Sequence, residues 1–277
     1  PWKMSSAGEK REVAEDNGEK TLSVPSFHQY SFREIYGSRL PFLPWRDRVV
    51  IKAIVYFLQR SVEKIEGLEY IQPECDPFIL AMNHNQKNEA IAVPALVFFH
   101  RRGRKVHFFS DWNFQLIPFV SYIIRRSEII TLTRKSAKPK FLNVLKPLFE
   151  EKEPPFDIAK KKLAAGASVG VYPEGTLNRN PNRLLKGYSG MARLSIESGC
   201  PIVPAGIRYP HLPKDKMIPD WEPMTLSIGK PMKPPVVAEV ASLEDVRAWH
   251  SEIMGAISKL CGKEWSEHSV RKKQTVI

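Results

Sequence analysis

A chain of 277 residues with 43% apolar side chains can bury a substantial core, and its length fits one large domain, the default reading, or two small ones. Its 42 lysines and arginines against 30 acidic residues leave a formal charge of +12, which points to a polyanionic partner such as an anionic membrane or a nucleic acid. Cys75, Cys200 and Cys261 stand far apart with neither disulfide nor zinc spacing, which argues against a cysteine framework or a cysteine metal site.

Residues 1–24 are polar and carry both signs of charge, so they read as a disordered leader. They lack the apolar core of a signal peptide, and export is not expected. Over residues 42–66, Val49, Val50, Ala53, Ile54, Phe57, Leu58 and Val62 recur at helical spacing among Arg46, Arg48, Lys52, Arg60 and Lys64. This predicts one basic amphipathic helix, lying either in a membrane interface or against the core. Residues 78–82 form a short apolar run ending in Asn83-His84, and 89–99 read as a helix. Residues 105–109 and 128–132 read as strands on either side of the Pro118-interrupted apolar segment 114–124, which suits lipid contact, an acyl tunnel or core packing.

Residues 138–151 and 158–165 look helical, 168–172 is a buried strand, and 189–198 is a helix closed by Gly199. Strands at 202–207 and 224–228 follow, then a final helix over 243–261 with Ser242 as N-cap and Asp245 at its third position. Strands alternating with helices predict an α/β fold, a mixed sheet flanked by helices. No run reaches the roughly 18 to 20 apolar residues of a spanning helix.

Three clusters carry chemistry. His84 follows a strand directly, and Glu89 lies five residues on, where a loop entering a helix brings an acid back onto an imidazole. A carboxylate on one ring nitrogen fixes the tautomer and leaves the other nitrogen to take a proton from a hydroxyl. Tyr172-Pro173-Glu174-Gly175-Thr176 ends a buried strand in a glycine turn, the place where α/β sheets hold ligands. Lys186, just before the helix that starts near Ser189, adds a cation beside a helix N-terminus, and Arg134 adds another at the end of a strand. The basic runs at 101–105 and 160–162 read as solvated surface, and no nucleic-acid-binding motif accompanies the charge.

In this order the blocks resemble the lysophospholipid acyltransferase family, which includes the 1-acylglycerol-3-phosphate acyltransferases. His84 to Glu89, preceded by Asn83, matches the family's His-x4-Asp block, and residues 130–134 match the block that ends in a substrate-binding arginine. Tyr172 to Thr176 matches Phe-Pro-Glu-Gly-Thr, residues 202–205 match the Val-Pro block, and Lys186-Gly187 stands at the Lys-x-Gly step. The resemblance covers roughly residues 70–230.

The resemblance implies that His84 and Glu89 are catalytic, with Asn83, Arg134, Glu174, Gly175, Thr176 and Lys186 binding substrate; Arg179 is added to the expected binding residues as a substitute charge. It implies an acyl-CoA or acyl-carrier protein as co-substrate, a lysolipid or other hydroxyl acceptor, and neither a metal nor a further cofactor. The expected setting is peripheral or monotopic, on the cytoplasmic side of a membrane, with the lipid surface as partner and no nucleic acid. The chain then divides into a leader (1–24), an amphipathic helical membrane-associating segment (25–70), an acyltransferase domain (71–265) and a basic tail (266–277).

Two departures stand out. Glu89 replaces the family's aspartate, and Leu177 stands where the family has an arginine for the acceptor's phosphate. Arg179 is the candidate substitute for that charge. A non-glycerolipid acceptor, or a catalytically weak lipid-binding relative, is the alternative reading.

Overall fold

The computed structural model describes residues 29–133, 135–137, 139–236 and 241–270. The leader at 1–24, Arg134 and the end of the tail at 271–277 lie outside the described residues.

Seven strands make one sheet in the order β1-β7-β6-β2-β5-β3-β4. They are β1 (Val62–Glu66), β2 (Ile79–Met82), β3 (Val106–Asp111), β4 (Ile130–Leu132), β5 (Ser168–Val171), β6 (Ile202–Arg208) and β7 (Met224–Ile228). From β6 through β2, β5 and β3 to β4 every pairing is parallel, whereas β7 runs antiparallel to β6 and β1 runs parallel to β7. The sheet is therefore mixed, as the sequence predicts. Helices cover both faces, so the central strands read as unbroken apolar runs and all four residues of β2 are buried.

Alternation along the strands separates two cores. Leu80, Met82, Val203, Ala205 and Ile207 face one side, with α2 (Trp45–Leu58) and α3 (Glu89–His100). Ile79, Ala81, Val169 and Ile202 face the other, with α5 (Pro155–Ala164), α6 (Gly190–Ser198) and α7 (Leu243–Cys261). The N-cap predicted at Ser242 is present and forms a reciprocal capping box with Asp245, and Gly199 closes α6 in the left-handed region. The end of α7 approaches β6 so closely that a Cβ on Gly206 would lie 2.3 Å from the carbonyl carbon of Leu260, a contact only glycine permits.

The helix predicted over 42–66 is shorter in the structure. After α1 (Phe32–Gly37), α2 stops at Leu58, a 3-10 turn covers Gln59–Ser61, and Val62–Glu66 is the edge strand β1. Val62 stands four residues after Leu58, a spacing that continues the helical pattern, but it is the first residue of β1, where a register shift between Val62 and Lys64 lets both Val62 and Ile65 be buried. Only part of the apolar stripe of α2 is core. Ile51, Ile54 and Val55 are buried, while Trp45, Val49 and Phe57 are exposed.

The predicted helix at 138–151 is 3-10 structure over Lys140–Phe149 with Pro147 inside it and no buried residue, because proline removes the donor that an α-helix would need there. The segment 114–124 splits at Pro118 into a 3-10 turn, Trp112–Leu116, and α4 (Pro118–Arg126), which is tied to α2 by Arg126 Nε donating to Asp47 at 2.5 Å.

Candidate active site

Because β2, β5 and β6 are parallel neighbours, their C-terminal ends open on one edge of the sheet, the edge at which α/β folds hold ligands. That edge gathers the 83–88 loop, the 172–178 turn and Tyr209. Asn83 sets the register of the first with the third: its Oδ1 accepts from Ile207 N at 2.7 Å, and its Nδ2 donates to Ile207 O at 3.0 Å. Asn83 is 1% exposed, so the structure places it beneath the site with its amide engaged by β6.

His84 and Glu89 are brought together. Glu89 opens α3, where the helix dipole favours an acid, and it is fully buried. Its Oε1 lies 2.6 Å from His84 Nδ1 and also accepts from the backbone N–H of Asn85. Its Oε2 accepts from the Tyr209 hydroxyl at 2.6 Å and from Asn85 Nδ2 at 3.3 Å. Four donors around one carboxylate replace the water that burial removes. With Nδ1 facing the carboxylate, His84 Nε2 makes no hydrogen bond among the described residues, and the side chain keeps 16% of its exposure. The imidazole stacks on Tyr172 at 4.4 Å between ring centres, and Tyr172 stacks in turn on Phe108 at 5.8 Å. Burial, then the Glu89 charge, push the Tyr172 phenol well above its ordinary ionisation range.

Glu174 lies behind this pair, its carboxylate engaged by the protein's own donors. It is 3% exposed and accepts from His84 N at 3.3 Å, Leu185 N at 2.8 Å and Asn178 Nδ2 at 2.7 Å. Burial raises its pKa despite these donors and the nearby Lys263. Asn178 N donates to His84 O at 2.7 Å, so the two loops are stitched together through Glu174 and Asn178. Gly175 has φ +64°, and a Cβ there would stand 2.6 Å from the Tyr188 ring. Thr176 and Leu177 are half-buried. Lys135, next to Arg134, holds the end of β4 to this turn through Asp111 Oδ2 at 2.8 Å and Gly175 O at 3.0 Å.

Arg179 is engaged elsewhere: it donates to Asp220 Oδ1 and to Ile218 O, each at 2.7 Å. Asp220 also accepts from the backbone of Lys87 at 3.0 Å, and that bond, then Arg179, holds its carboxyl below the usual range. Lys186 is half-buried, its carbonyl accepting from His250 Nε2 at 3.0 Å and Trp265 Nε1 at 3.3 Å.

The sequence reading missed three residues that brace the pair: Asn85, Tyr209 and Lys263. Lys263 follows the Gly262 cap of α7, is 4% exposed, and donates to Asn85 Oδ1 and, at 2.7 Å, to Asn180 O. Burial lowers its pKa against the pull of Glu174. No motif marks Lys263. Tyr209 carried one usable cue, its place directly after a buried strand. Among the described residues no group of His, Cys, Asp and Glu is arranged to hold a metal ion.

A buried carboxylate on Nδ1 with Nε2 open at the C-terminal ends of parallel strands leaves that nitrogen able to accept a proton. The family model named Acyltransferase matches residues 63–208, from β1 to the end of β6, and the chain belongs to that family. Among solved structures it is similar to the 1-acyl-sn-glycerophosphate (LPA) acyltransferase PlsC from Thermotoga maritima, with 22% identity and a TM-score of 0.52 over 84% of this chain and 92% of that one. That likeness shows a shared fold. Among curated proteins none matches the chain.

Proposed function

We propose that the protein moves a fatty acyl group from an acyl thioester, carried by coenzyme A or an acyl-carrier protein, onto the hydroxyl of a lysophospholipid at a membrane surface. The observation that carries this reading is the 2.6 Å contact between His84 Nδ1 and the buried Glu89, which directs the lone pair of Nε2 outward. Nε2 takes the acceptor's hydroxyl proton as the oxygen attacks the thioester carbonyl. Glu89 stabilises the imidazolium that forms. The carbon–sulfur bond then breaks, and His84 returns the proton to the departing thiolate. No acyl-enzyme is required.

Membrane contact is supported by the exposed Trp45, Val49 and Phe57 of α2 among Arg46, Arg48 and Lys52. A second exposed apolar ridge, Phe141, Val144 and Leu148, shares its 3-10 segment with Lys140 and Lys146. Among the described residues no helix is long and apolar enough to cross a bilayer. The attachment proposed is peripheral or monotopic, on the cytoplasmic side.

A second reading concerns the acceptor. Leu177 cannot bind a phosphate, and Arg179 is already paired with Asp220, which favours an acceptor with no phosphate at that position. The test is a panel of lysolipids and other hydroxyl acceptors with acyl-CoA and acyl-carrier protein donors, products read by mass spectrometry. Transfer abolished by His84→Ala supports the reading, and full turnover by that variant refutes it. Selective acylation of lysophosphatidate decides for the phosphorylated acceptor.

A further inference from the structure

The Glu89 carboxylate is fixed unevenly. Its Oε1 is held by the backbone N–H of Asn85, a donor that cannot turn away, and this is the oxygen that meets His84. Rotation about the last bond of the side chain moves both oxygens, and at Oε2 it is opposed by the Tyr209 hydroxyl at 2.6 Å and by the longer contact from Asn85 Nδ2 at 3.3 Å. A glutamate has one more rotatable bond than the aspartate of the family pattern, and so one more torsion that must be frozen before the imidazole is aligned.

Tyr209 reaches this oxygen from 120 residues away in sequence. Its height is set by the site itself, because the amide of Asn83 bonds both the N–H and the carbonyl of Ile207, two residues earlier. The phenol remains a donor, since burial and then the Glu89 charge push its ionisation far above the ordinary range.

We propose that Tyr209 is a positioning residue for the His84–Glu89 pair: its hydroxyl anchors the second carboxylate oxygen and removes the slack that the extra methylene of Glu89 introduces. This rests on His84 being the base. It gives a physical reason why a glutamate serves here: the side chain spans two anchors, His84 on one oxygen and Tyr209 on the other. An aspartate, shorter by about 1.5 Å, keeps His84 and no longer reaches Tyr209.

The experiment is a double-mutant cycle with palmitoyl-CoA as donor and the acceptor the panel selects, reading kcat and KM separately. Tyr209→Phe, which keeps the ring and removes one oxygen, lowers kcat by about 30-fold and leaves both KM values within about twofold, because the loss is of alignment and not of binding. In a Glu89→Asp background the same substitution costs no more than about twofold, since the anchor is already gone. A purely structural role lowers the rate by the same factor in both backgrounds, and that result overturns the proposal, as does an unchanged kcat or a loss confined to KM. The two readings fail separately. Full turnover by His84→Ala removes the base itself, whereas an inactive His84→Ala beside an unimpaired Tyr209→Phe removes only the role given to Tyr209.

Discussion

Replacing Glu89 by glutamine tests how much of the proposed rate comes from charge. Glutamine has the same shape, and the surroundings dictate how it sits. The Asn85 backbone N–H cannot reverse, so the amide carbonyl must take the place of Oε1, still facing His84 Nδ1. The amide nitrogen then falls at Oε2, where the Tyr209 hydroxyl can rotate to accept. The tautomer of His84 survives, and the loss is the carboxylate charge that stabilises the imidazolium. Two unit charges with centres about 4 Å apart in an effective dielectric of about 20 interact by about 4 kcal/mol, equivalent to about 10³-fold in rate. The assay is steady-state release of thiol from an acyl-CoA with the acceptor saturating. A fall in kcat of about 10³-fold with KM nearly unchanged is expected. A variant within about tenfold of wild type would show that Glu89 orients His84 without stabilising its charge, and would refute the argument.

Two further outcomes follow from groups outside the dyad. Glutamate at Trp45 or Phe57, both more than two-thirds exposed, lowers co-sedimentation with anionic vesicles by about tenfold or more each, with little change in melting temperature; a shift in melting temperature with unchanged vesicle binding counts against the membrane surface. Lys263 has a lowered pKa in the fold, so between that value and its ordinary 10.5 the unfolded chain binds more protons and stability rises with pH. Denaturant melts across that interval are expected to show wild type gaining on Lys263→Met as pH increases, and parallel curves would contradict the burial.

The elements whose sequence and packing agree were readable in advance. The N-cap of α7, the αL glycine after α6 and the apolar run of β2 all depend on residues close together in the chain. The readings failed where a tertiary pairing overrode a local pattern. Val62 follows Leu58 at helical spacing, yet it belongs to an edge strand that pairs with β7, more than 150 residues on. Pro147 breaks a stripe that periodicity alone extends into a helix.

The candidate site divides in the same way. His84 and Glu89 are five residues apart, so a loop entering a helix suffices to join them, and the sequence by itself determined that pairing together with the acyltransferase class its ordered blocks resemble. What surrounds the pair was decided by the sheet. Tyr209, Lys263 and the bonds of Asn83 come from strands and a helix end more than 100 residues away, and they carry no local pattern because their partners are distant. Glu174 and Arg179 appear in sequence as free charges, yet the fold satisfies one with buried donors and the other with Asp220. A side chain's chemistry can be read from its type, but whether that chemistry is available depends on which polar groups the tertiary structure brings within hydrogen-bonding distance.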